Sequence, residues 1–61
     1  MKIIEKLSDM ISEELGDAEK YISNAIECKE RDRHLADTFF ELSNQEMNHM
    51  SMLHSEVARI I

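Results

Sequence analysis

The sequence predicts an all-α protein built as an antiparallel helical hairpin. Three observations lead there. The 61 residues include no Pro and a single Gly, which leaves too few turn formers for a multi-stranded sheet. Apolar residues recur at spacings of three, four and seven through both halves of the chain. Midway, Lys29-Glu30-Arg31-Asp32-Arg33 contains no apolar residue, so one turn separates two long periodic segments. With 43% hydrophobic and 33% charged residues, the composition is that of a folded chain rather than a disordered one.

The first helix is expected over about residues 2–28. Ile4, Leu7, Ile11, Ala18, Tyr21 and Ala25 fall on one stripe, widened by Ile3 and Met10 on one side and by Leu15, Ile22 and Ile26 on the other. Lys2, Glu5, Lys6, Asp9, Glu13, Lys20, Asn24 and Glu27 occupy the opposite face, as an amphipathic helix requires. The turn is expected at about residues 29–32, with Asp32 as N-cap of the second helix. That second helix, about residues 33–61, carries two adjoining stripes. One is Leu35, Phe39, Leu42, Leu53 and Ile60; the other is Ala36, Phe40, Met47, Met50, Val57 and Ile61. The resulting apolar face is wider than a two-stranded coiled coil needs.

Residues 1–61 therefore form a single unit, a hairpin with half of each wide face uncovered. A folded chain of this size buries only about 60% of the surface its unfolded form exposes, so it needs a staple. Cys28 is the sole cysteine and cannot close an intrachain disulfide, which leaves metal, oligomerisation or both. Pairing of two hairpins gives a homodimeric four-helix bundle, twofold pairing being the commonest oligomer.

Charge excludes some partners. Seven Lys+Arg against 13 Asp+Glu give a net charge of −6, and no basic stripe with interleaved aromatics is present, so nucleic acid is not expected. No apolar run approaches the roughly 20 residues needed to span a bilayer, which argues against a membrane partner. The opening Met1-Lys2-Ile3-Ile4-Glu5 is interrupted by charge too soon for an export signal. With one unpaired cysteine, this points to a cytoplasmic setting.

The informative residues are those that break the apolar stripes. Glu14 interrupts the first helix between Ile11 and Ala18; Glu46 and His49 interrupt the second between Leu42 and Leu53. Ionised carboxylates are costly to remove from water without compensation. In an antiparallel hairpin, Glu14 and Glu46 lie equally far from the turn, about 24 Å at 1.5 Å per residue. His49 follows Glu46 by three residues on the same face. A symmetric dimer would gather four carboxylates and two imidazoles, which two divalent cations neutralise. Such a donor set suits iron(II), manganese or zinc. Asp17, three residues after Glu14, matches Glu46 and His49 in height about as well and is a further candidate ligand.

A Glu from each of two helices, plus Glu-x-x-His from each of the other two, is the ligand set of carboxylate-bridged di-metal bundles. On Glu14, Tyr21 and Phe39-x-x-Leu42-Ser43-x-x-Glu46-x-x-His49, the chain resembles the ferritin-like superfamily, and rubrerythrin-type domains most closely. The resemblance spans nearly the whole chain but half the usual domain, which has two hairpins in one polypeptide. It implies a di-iron site with Glu14 and His49 as terminal ligands, Glu46 as a bridging one, and Tyr21 as a hydrogen-bond donor beside the metal. The implied activity is that of an oxidoreductase, iron oxidation by oxygen or peroxide, or iron storage in a larger assembly.

Blander readings stand beside these. Glu14, Glu46, His49 and Tyr21 can form a metal-free polar network that fixes register in a non-enzymatic dimerisation module. The run His49-Met50-Ser51-Met52-Leu53-His54 joins imidazoles and thioethers, donors that select copper(I). However, His54 lies about 140° around the helix from His49 and Met52 points off the stripe, so Met47, Met50 and His54 read better as packing. His34 reads as solvated, and Cys28 as a small semi-buried hydrophobe able to cross-link chains under oxidation. Gly16, which costs about 1 kcal/mol relative to Ala in a helix, either permits a close approach near the ligands or is a surface accident.

Overall fold

The link between the helices is built from local hydrogen bonds. At its first end, the Arg31 and Asp32 amides donate to the Cys28 carbonyl at 3.0 and 2.8 Å, satisfying an acceptor that the helix itself leaves free. At its second end, Asp32 adopts extended backbone (φ −150°, ψ 89°) and its Oδ1 accepts from the Leu35 amide at 3.0 Å, as an N-cap should. A computed structural model describes residues 1–61: helix α1 spans Lys2–Cys28 and helix α2 spans Arg33–Ile60. They pack against each other as a hairpin, and there is no strand. Arg59 in the last turn of α2 is favourably placed for the helix dipole and pairs with Glu56 at 2.7 Å.

The seam between the helices is made of small residues. Ala18 and Ala25 on α1, and Ala36 and Ser43 on α2, are the four buried residues of the chain. Each pair is separated by seven positions, two helical turns, so both pairs lie along the line of contact. Ala25 and Ala36 flank the turn at equal distance, as do Ala18 and Ser43 further out. Between these layers Tyr21 stacks on Phe39, with ring centroids 6.2 Å apart and an interplanar angle of 28°. The Ser43 hydroxyl is satisfied by donating to the Phe40 carbonyl at 2.7 Å. Beyond Ala18 and Ser43 come Glu14 and Glu46, and then half-buried Ile11 and Met50, Leu7 and Leu53, Ile4 and Val57.

The hairpin is one layer thick, with Cα extents of 46 × 14 × 9 Å. A single layer of two helices can shield only the residues between them. Ile3, Met10, Leu15 and Ile26 on α1, and Leu35, Phe40, Met47 and Met52 on α2, are accordingly 41–61% exposed. The accessible surface is 4716 Å², against about 4,100 Å² for a compact monomer of this mass. No helix is long and apolar enough to cross a membrane.

Candidate metal centre

The hairpin places Glu14 on α1 opposite Glu46 on α2, one layer further from the turn than Ala18 and Ser43. Both residues of that neighbouring layer are small and 2% exposed, so the backbones run close there and the two carboxylate stems begin at short range. His49 joins them from the next turn of α2. Glu14, Glu46 and His49 each present one ligand atom, and these three atoms lie within 4.8 Å of one another. His49 Nδ1 is 3.5 Å from Glu14 Oε2 and 3.9 Å from Glu46 Oε2. The carboxylates lie on the inner side, with side chains 26% and 18% exposed, whereas the imidazole is 51% exposed. The cluster therefore has an acidic floor and a half-open rim.

One atom marks the electrostatic imbalance. Glu14 Oε2 is buried and has no hydrogen-bond partner, although His49 Nδ1 lies 3.5 Å away. An unsatisfied buried acceptor costs about 1–3 kcal/mol, more when it is charged. A cation among the three donors would answer that deficit. Metal–oxygen and metal–nitrogen bonds of about 2.0–2.2 Å set donor atoms roughly 3–4.2 Å apart around one ion. The 3.5 and 3.9 Å separations already fall in that span, and the widest, up to 4.8 Å, needs a side-chain adjustment of under about 2 Å, within rotamer reach for partly exposed glutamates. Two carboxylates also match the charge of one divalent ion. The residues present fit such an ion.

The other sequence-derived candidates are placed differently. Asp17 is exposed and lies outside the group of three: three residues round α1 from Glu14, its side chain leaves the seam. Tyr21 is half-buried, but its hydroxyl makes no hydrogen bond to Glu14 or Glu46; the ring is committed to Phe39, two helical turns nearer the hairpin turn. His34 is exposed, and Cys28 is half-buried near the turn with its thiol toward the Ala25 carbonyl at 3.8 Å. Around Gly16, a Cβ would meet nothing within 4 Å, so within the hairpin no close approach requires the glycine.

A feature that sequence reasoning set aside adjoins the cluster. Met10, Glu14, His49, Met52 and Leu53 line one pocket of about 240 Å³. The signal was present in the spacing: Met10 precedes Glu14 by one turn and Met52 follows His49 by one turn. On the outer side of His49, a larger polar groove of about 630 Å³ is lined by Asp37, Glu41, Asn44, Gln45 and Asn48 with Phe40.

Comparison with protein-family models, with curated proteins and with solved structures finds no match for this chain.

Proposed function

We propose that this hairpin is half of a homodimeric, ferritin-like four-helix bundle that binds divalent transition metal, iron first among the candidates, through Glu14, Glu46 and His49. The observation that carries the reading is the partnerless, buried Glu14 Oε2 beside a second carboxylate and an imidazole within 4.8 Å. Manganese and zinc share the required preference for oxygen and imidazole donors. The resemblance to rubrerythrin-type domains supplies the redox reading: bound iron(II) would provide the electrons for reducing oxygen or peroxide. The chain's own residues have simpler tasks. Glu14 and Glu46 supply the two negative charges that offset one divalent ion, and neutral His49 donates a nitrogen lone pair from the open side. Two such clusters, one from each copy, give the carboxylate and imidazole count of a di-metal site.

A second reading draws on the eight apolar residues that are 41–61% exposed. In it the hairpin is a non-enzymatic dimerisation module, and the polar cluster serves only to set helix register.

Thermal unfolding of chelator-treated protein, with and without Fe(II) under anaerobic conditions, Mn(II) or Zn(II), separates the two. Binding only to the folded state stabilises by about 2.7 kcal/mol at a hundredfold excess over Kd. The metal reading expects a rise in midpoint that disappears in Glu46→Ala and His49→Ala. An unchanged midpoint, with both variants still associating as wild type does, overturns it in favour of the dimerisation module. Oxygen uptake by Fe(II)-loaded protein then distinguishes oxidation from sequestration.

A further inference from the structure

The pocket next to the acidic cluster has a different chemistry from the cluster itself. Its polar donors are the Glu14 carboxylate and the His49 imidazole; the rest of its wall is Leu53 and two thioethers, Met10 and Met52. Both methionines are more exposed than apolar side chains usually are, at 41% and 61%. Met52 also reaches back along α2, with its sulfur 3.9 Å from Asn48 Nδ2. That contact turns the sulfur back along α2, the direction long helical side chains favour, to a place beside Asn48, the residue before His49. Met10 approaches the same pocket from α1. Two soft sulfur donors and one imidazole at the rim of a small pocket form a donor set that hard or borderline divalent ions do not select and that copper(I) does.

We propose that Met10, Met52 and His49 form a copper(I) site adjoining the divalent site and sharing His49 with it. The two sites divide by donor softness. Glu14 and Glu46 draw divalent ions inward to oxygen, whereas Met10 and Met52 draw a soft monovalent ion outward to sulfur. Because one imidazole serves both, each metal opposes binding of the other. The inference meets the proposed function only at His49, so it stands or falls separately from it.

The test is withdrawal of copper(I) from its bicinchoninate complex under anaerobic, reducing conditions, monitored by the loss of the complex's colour. Wild type is expected to take one copper per chain. Met10→Leu and Met52→Leu, which keep the apolar volume but remove the sulfur, are expected to weaken uptake at least tenfold without changing Zn(II) binding. Glu46→Ala is expected to do the reverse, and His49→Ala to reduce both. Equal uptake by wild type and both leucine variants overturns the site and leaves the methionines as apolar contacts. A second readout does not depend on variants: in the wild-type protein the methyl resonances of Met10 and Met52 should shift on adding copper(I). If they stay in place while copper is withdrawn, the proposed ligands are wrong.

Discussion

Glu14 is where sequence, packing and chemistry conflict most openly. Its position on the apolar stripe takes it inward, its charge favours water, and its Oε2 ends buried without a partner. Glu14→Gln keeps the shape and removes the charge. The metal-free protein is expected to gain up to about 1 kcal/mol, the scale of partly exposed charge pairs, because the repulsion with Glu46 is relieved. The stabilisation by Zn(II) should meanwhile fall away. Urea unfolding in chelator and in zinc reads both effects; a Gln variant weaker than wild type in chelator would mean that the carboxylate stabilises the hairpin by itself. Gly16 offers a contrasting case. Since a Cβ there meets nothing within 4 Å, Gly16→Ala should stabilise the helix by about 1 kcal/mol, visible as a raised Tm. A lowered Tm would show that another chain packs against that spot.

At the scale of elements, periodicity and breaker residues made both helices legible, because a 3.6-residue repeat determines which side chains can share a face. The Asp32 cap was legible for the same local reason. The Glu14, Glu46 and His49 cluster could be anticipated from equal distance to the turn, a rule that needs only the rise per residue. Two things escaped. The stripe positions did not single out Ala18, Ala25, Ala36 and Ser43 as the closest line of contact, since a helical wheel gives direction but not interaxial distance. The wheel angle of Met52 points it away from the cluster, but takes no account of how far a flexible thioether reaches along the helix. The close seam leads to a prediction. Ala18→Leu forces a larger side chain into a position 2% exposed, at a cost of about 1–3 kcal/mol. Because that layer adjoins Glu14 and Glu46, it should also weaken zinc binding, as measured by calorimetry. Unchanged zinc affinity in the folded variant would show that the carboxylates do not depend on the close approach.

The whole molecule is a slab 9 Å across its thinnest Cα extent, with four buried residues. Its 4716 Å² of accessible surface exceeds the compact-monomer expectation by about 600 Å², and a standard interface covers about 800 Å² on each partner. A second copy laid across one broad face would cover the exposed apolar residues of that face and add the second layer that a core requires. Sedimentation is therefore expected to give twice the 7.1 kDa chain mass, with a Tm that falls on dilution as in any folding coupled to association. Metal provides the sharper measurement. If the cluster on one hairpin lies against the cluster on the other, zinc and association must strengthen each other by the same factor, because the coupling between two binding equilibria is reciprocal. The dimer dissociation constant should then drop on adding zinc, and zinc affinity should rise with protein concentration to the same extent. Zinc bound equally well by monomer and dimer would place each site wholly within one hairpin, leaving the apolar faces as the sole reason for pairing.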